Sequence, residues 1–277
     1  MNILLTGATG TVGSLVVPRL LEVGHTLRVL ARDPAAARAK LGDQVEIVAG
    51  NFNDPSSLRT ALRGIDAASL VTAGTPQLPG EEARFVDAAL EAKLPYLVKL
   101  SAINAHHWHA ESEAYIRASG LRAAFVRPVV FMSNLLWESA NVRSGRLPSI
   151  FGDGRMSFVD PLDVADVLAV ALAQPEYAGE IWTFGGPEAL TYDDLAAAFT
   201  EVLGYPVAHL RLDRDTFRKG IAAAGLPDFV ADALIETAEL LPHGKFVTND
   251  EPVRRLLRRS AGSFESWVKR HRSAFVR

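Results

Sequence analysis

Three glycines at even spacing, Gly7, Gly10 and Gly13, lie in the run Gly7-Ala8-Thr9-Gly10-Thr11-Val12-Gly13. Apolar Ile3-Leu4-Leu5 precedes them and a helical pattern over 14–23 follows. A buried strand, a glycine turn and a helix start are what a nucleotide pyrophosphate requires. Gly7 permits the tight turn, Gly10 lets backbone approach the phosphates, and Gly13 lets the helix pack close to the strand. The helix start offers unpaired amides and the positive end of its dipole to the anion. With strand before and helix after, the run, including Thr9, Thr11 and Val12, reads as a dinucleotide-binding turn and not a plain glycine turn.

The residue that follows the second strand decides which dinucleotide fits. An acidic side chain there holds the adenosine ribose hydroxyls of NAD, whereas an arginine accommodates the 2′-phosphate of NADP. Here the strand ends Val29-Leu30-Ala31-Arg32-Asp33-Pro34. Arg32 is the first polar residue past it, a fork of donors suited to phosphate. Asp33 comes one residue late and reads as a cap for the helix opening at Pro34. NADP(H) is therefore expected over NAD(H).

Three further loops fit a bound dinucleotide. Asn51 and Phe52 face the adenine edge, and Thr72-Ala73-Gly74 offers small residues and backbone to ribose and diphosphate. Arg127-Pro128-Val129-Val130, with Pro128 at its turn, lines the nicotinamide face or is an ordinary loop. Ser101, after the fifth strand, hydrogen-bonds a substrate oxygen or caps the strand end. His106-His107-Trp108-His109 has short histidine spacing, but no cysteine is available and Glu111 and Glu113 complete no known ligand set, so no metal is expected. His109 and Glu113 are one helical turn apart and can meet, either as a structural pair or with His109 at the cofactor edge. Trp108, Phe131, Trp137 and Phe151 are candidates for an apolar substrate wall or for core.

The elements that must position these residues alternate along the chain. Strands are expected over 2–5, 26–30, 45–49, 67–71, 96–100 and 123–126. Helices are expected over 14–23, 34–41, 55–63, 81–92 and 110–118. Strands separated by helices imply crossovers, hence a parallel sheet covered on both faces, and a ligand crevice at the strands' carboxyl ends. This is an α/β, doubly wound (Rossmann) fold. Beyond about 128 the pattern loosens, with helices over 161–172, 191–203, 217–224 and 229–241, a strand over 180–184 and a basic helical tail over 252–276. The division expected is a dinucleotide-binding domain over 1–150 and a smaller, mainly helical substrate lobe over 151–277, integrated with the first.

Bulk properties narrow the partners. The chain has 277 residues, 48% hydrophobic and 22% charged, with a formal net charge of -3. Nothing in that balance marks a nucleic-acid surface. There is no cysteine, which excludes disulfides and thiolate chemistry. No apolar run is long enough for a bilayer, and the first strand follows Met1 directly, so a cytoplasmic protein without signal peptide or membrane anchor is expected. A homodimer is compatible with the sequence.

At these residues the chain resembles the NmrA-like branch of the atypical short-chain dehydrogenase/reductase family, in particular its NADPH quinone oxidoreductase and triphenylmethane reductase types. The resemblance lies in the glycine run, in Arg32-Asp33-Pro34 and in Gly50-Asn51-Phe52-Asn53-Asp54-Pro55-Ser56-Ser57-Leu58. It extends to Leu100-Ser101, His109 to Glu113, Arg127-Pro128, Phe131-Met132-Ser133-Asn134 and Asp163-Val164-Ala165-Asp166-Val167, and weakens beyond Tyr205. Two departures stand out. The family often has Asp where Asn51 stands. Most active short-chain dehydrogenases also carry a Tyr and a Lys four positions apart, the proton donor and the residue that lowers its pKa. Ala105 and His109 stand in the expected region, and Tyr115 is followed four residues on by Ser119. The resemblance implies an NADPH-dependent reductase of a small, apolar, conjugated acceptor such as a quinone, for which hydride positioning suffices. A second reading is a non-catalytic NAD(P)-binding sensor of the NmrA type that acts through a protein partner. An extended-type sugar-nucleotide or isoflavone enzyme is disfavoured by the missing Tyr and Lys.

Overall fold

The computed structural model describes residues 1–103 and 108–276. Its first strands and helices alternate as the sequence pattern requires: β1 (Asn2–Leu5), α1 (Gly13–Glu22), β2 (Thr26–Ala31), α2 (Pro34–Leu41), β3 (Glu46–Ala49), α3 (Pro55–Leu62), β4 (Ala67–Leu70), α4 (Leu78–Glu91), β5 (Leu97–Leu100), α5 (His109–Ala118) and β6 (Ala123–Pro128). Two helix starts show why. Asp33 accepts from the Ala36 amide, Asp54 from the Ser56 amide, and each is followed by a proline whose missing N–H costs the first turn nothing.

These strands, with β8 (Ile181–Phe184), form one sheet in the order β3-β2-β1-β4-β5-β6-β8. Every pairing from β3 through β6 is parallel. The order runs outward in both directions from β1, so the topological switch lies between β1 and β4, where a doubly wound sheet opens its crevice. Leu4, Leu30, Leu70, Phe85, Val86 and Leu97 are buried in one apolar cluster that fixes α3 and α4 against the sheet.

After β6 come a 3₁₀ turn (Met132–Glu138), α6 (Ser139–Arg143), β7 (Arg146–Ser149) and α7 (Pro161–Ala173). Then follow α8 (Tyr192–Leu203), β9 (Ala208–Arg211), α9 (Arg214–Ala223), α10 (Asp228–Leu240), α11 (Glu251–Leu257), α12 (Phe264–Arg270) and α13 (Arg272–Phe275). The chain divides into two compact units, Met1–Arg127 with Pro161–Thr183, and Pro128–Asp160 with Phe184–Arg277. The expected single boundary at 150 falls within the second unit. It is displaced because α7 returns to pack on α1, where Arg19 and Asp166 form an ion pair, and because β8 extends the sheet.

The second unit, taken alone, holds a small parallel pair, β7 with β9, that the sequence pattern did not reveal. Phe199 packs edge-on against Phe264 and Phe275 at centroid distances of 5.5 and 4.8 Å, so the basic tail turns an aromatic face inward. Ser149 Oγ lies 2.8 Å from His209 Nε2, and His209 Nδ1 lies 3.1 Å from Asp193. Ser-His-Asp order invites a nucleophilic reading. Ser149 is 2% exposed, however, and its oxygen also accepts from the Phe151 amide, so the trio braces β7, β9 and α8 together.

Candidate functional site

The glycine run adopts the geometry its residue types demand. Gly7 has φ +61°, and a Cβ there would lie 2.9 Å from the Val71 carbonyl oxygen. A Cβ on Gly13 would lie 2.3 Å from the Gly7 carbonyl oxygen. The turn thus closes on itself, with the Gly10 amide donating to Gly7 at 2.9 Å. Thr6, which sequence reasoning passed over, ties the turn to the neighbouring strand. Its hydroxyl reaches the Ser69 and Val71 carbonyls at 3.1 and 3.0 Å and accepts from the Val71 amide at 2.8 Å.

Helix α1 begins with no side-chain cap and no acidic residue in its first turn. The Ser14 and Leu15 amides bond back to the Gly10 and Val12 carbonyls, so what the helix start offers an anion is its positive dipole end and the turn before Ser14, with no acidic side chain of the first turn opposing it. The absent Cβ atoms and the uncapped helix fit a pyrophosphate.

Arg32 follows β2 directly, is exposed, and makes no hydrogen bond or ion pair with a described residue, while Asp33 is occupied as the cap of α2. Lys40, a second cation missed in the sequence, reaches back from α2 and donates to the Thr9 carbonyl at 2.8 Å. Only contact geometry reveals it, because Lys40 reads as an ordinary solvated lysine on a polar helix.

At the end of β3 the Asn51 side chain accepts from the Asn53 amide at 2.8 Å, which folds the loop. The Phe52 carbonyl accepts from Arg84 at 2.8 Å, and its ring meets Phe85 edge-on at 6.1 Å. The loop is thus braced from α4, with Asn51 itself exposed.

The ends of β4 and β5 hold the densest polar chemistry. Thr72 is half-buried and donates to Glu82 Oε1 at 2.5 Å. Glu82 Oε2 takes Lys99 Nζ and the Ser112 hydroxyl, and the side chains of Glu82 and Lys99 are both 0% exposed. Burial holds Lys99 below the ordinary lysine range, with the attraction of Glu82 opposing it. Ala73 and Gly74 follow as a small, accessible edge.

One strand further, Ser101 donates to Glu113 Oε1 at 2.6 Å. Arg127 grips both Glu113 oxygens, and Arg117 reaches Oε2 at 2.6 Å. Burial pushes the Glu113 carboxyl up, but the hydrogen bonds from Arg127 and Ser101 and the Arg127 charge outweigh it. The group stays below the usual glutamate value. Ser101 and Glu113 are thereby brought together, with the Ser101 proton committed to a carboxylate.

His109 opens α5 and Pro128 closes β6. Ala105, His106 and His107 lie outside the described residues. Among the aromatic candidates, Trp137 is 75% exposed, Phe151 packs on Tyr192 at 5.2 Å, Phe131 bridges to Val159, and Trp108 is half-buried. Tyr115, which has Ser119 and not a lysine four residues on, lies exposed and donates to Asp87 at 2.6 Å. No described helix is long and apolar enough to cross a membrane.

Comparison with known proteins bears on this site. The chain is 38% identical over 284 residues to the (4-alkanoyl-5-oxo-2,5-dihydrofuran-3-yl)methyl phosphate reductase of Streptomyces griseus, covering 99% of each chain. It is 31% identical to the NAD(P)H azoreductase of Xenophilus azovorans, again over 99% of each. Its fold matches the Escherichia coli NADPH-dependent quinone oxidoreductase complexed with NADPH, with TM-score 0.90 and 22% identity over 98% of this chain and 99% of that one. The model of the NmrA-like family matches residues 1–251, and the chain belongs to that family.

Proposed function

We propose that this protein is an NADPH-dependent reductase that delivers hydride to a small, apolar, conjugated acceptor such as a quinone. The observation that carries the reading is Arg32, exposed and paired with no described residue at the end of the strand beside β1, with Asp33 withdrawn into a helix cap. A guanidinium in that position is a ready fork for the adenosine 2′-phosphate. Gly7, Thr9, Gly10, Thr11, Val12 and Gly13 would hold the pyrophosphate. Asn51 and Phe52 would flank the adenine, and Thr72, Ala73, Gly74, Ser101 and Pro128 the remainder. The reduced nicotinamide supplies the hydride when bound.

Two reductases among the relatives support the reductase and the conjugated acceptor, since the dihydrofuranone named for one of them is a conjugated carbonyl compound, there carried as a phosphate ester. The chemistry agrees. With Ser101 donating to Glu113 and no Tyr-Lys pair, the site has no evident strong acid among these residues. A conjugated acceptor, whose charge is delocalised after hydride arrives and which takes its proton from water, suits such a site better than an isolated ketone.

The same lack of an acid favours the second reading, an NAD(P)-binding sensor that works through a partner protein. NADPH consumption against a panel of quinones, dyes and unsaturated lactones separates the two. Acceptor-dependent oxidation supports the reductase. Tight NADPH binding with no oxidation by any acceptor supports the sensor.

A further inference from the structure

We propose that Thr72 and Ser101 act as paired hydrogen-bond acceptors for the hydroxyls of the nicotinamide-side ribose, each fixed in that polarity by a buried carboxylate, Glu82 for Thr72 and Glu113 for Ser101. The proposal rests on the dinucleotide reading above.

A hydroxyl has one proton to give and two lone pairs to accept with. Thr72 gives its proton to Glu82 and Ser101 gives its own to Glu113. Neither carboxylate can return one. Glu82 meets three donors, Thr72, Ser112 and Lys99, and Glu113 meets Ser101, Arg117 and Arg127. What each hydroxyl retains for a ligand is acceptor capacity alone.

The two follow neighbouring strands. β4 pairs with β5 in parallel, Thr72 stands two residues past the end of β4, and Ser101 directly follows β5. The pyrophosphate belongs at the turn after β1, and Arg32 draws the adenosine half toward β2. The other half then runs over β4 and β5, on the opposite side of β1. The group that follows the pyrophosphate there is a ribose, whose vicinal hydroxyls are donors. Two acceptors match them. Thr72 offers the larger surface, and Ser101, at 5% exposure, offers only an edge.

Stability alone does not explain the buried charges, because a buried ion pair is often replaced by apolar residues at little cost. Fixing the direction of a hydroxyl does require a group that cannot donate.

Calorimetric titration of native protein, Thr72→Val and Ser101→Ala with NADPH and with 2′,5′-ADP tests this, since 2′,5′-ADP carries only the adenosine half. Each variant should bind NADPH about tenfold more weakly, one net hydrogen bond, and bind 2′,5′-ADP as the native protein does. Thr72→Ser should retain native NADPH affinity. Glu82→Gln, which can turn an amide N–H toward Thr72 and reverse its polarity, should lose as much as Thr72→Val. If Thr72→Val does not fold, Ser101→Ala gives the same comparison. Unchanged NADPH affinity in the variants, or a parallel loss of both ligands, overturns the proposal and leaves the cofactor reading standing. Native protein that binds neither ligand overturns the dinucleotide reading and this proposal with it.

Discussion

Lys99 on β5 and Glu82 on α4 form an ion pair with both side chains fully out of water. Such a pair gives little net stability, yet breaking it strands a charge. Lys99→Met should destabilise the fold by about 3–5 kcal/mol in urea unfolding. Glu82→Leu combined with Lys99→Met should recover most of that loss. NADPH affinity should not recover with it, because the Thr72 hydroxyl has lost the carboxylate that orients it. A double variant as weak in folding as the single one would show that the pair matters to the fold through something other than charge.

Glu113 predicts an acid limit. Its carboxyl is held below the usual value of 4.5 by Arg127 and Ser101 despite burial. A carboxylate whose folded pKa is depressed contributes stability that is fully present above its unfolded pKa and is lost as pH falls through the folded one. Unfolding free energy from Glu113 should therefore be flat from neutral pH down to about 4.5, then fall. In Glu113→Gln the part of the acid loss due to this group should vanish. Measured stability against pH for the two proteins checks it, and identical acid limbs would remove Glu113 from the account.

The glycine turn predicts a contrast between two identical substitutions. Gly13→Ala puts a Cβ 2.3 Å from the Gly7 carbonyl oxygen, so backbone must move. It should cost about 1–3 kcal/mol of stability and most of the NADPH affinity. A Cβ on Gly74 meets nothing within 4 Å, so Gly74→Ala should change stability by less than about 0.5 kcal/mol. Equal behaviour of the two in thermal unfolding and NADPH titration would contradict this picture of the turn.

The first six strands and their helices were legible because local and global signals agree there. Caps at Asp33 and Asp54, prolines after them and short apolar runs all mark the same boundaries. β7 and β9 were not legible. β9 is mostly exposed, and β7 carries Pro148, so neither shows an apolar strand pattern. The conformation of the glycine turn and the place of Arg32 at the end of β2 could be read because backbone conformation and loop position restrict residue type. Thr6 and Lys40 could not, since their parts depend on contacts from distant elements. Glu82 did leave a signal. It falls between Leu78 and Phe85-Val86 on the buried stripe of α4, and Lys99 interrupts the apolar run Leu97-Val98 to Leu100. A carboxylate and an ammonium, each in an apolar setting, point to a buried pair, although neither position names the other.

The most direct test of the central claim is NADPH oxidation with a responsive quinone, run beside NADH, for native protein and Arg32→Glu. The account predicts quinone-dependent oxidation in the native protein that favours NADPH at least tenfold in kcat/KM. In Arg32→Glu that preference should disappear through a higher KM for NADPH, with kcat little changed. Quinone-dependent oxidation with the same cofactor preference in both proteins would contradict the role of Arg32, and no oxidation by any conjugated acceptor would contradict the reductase itself.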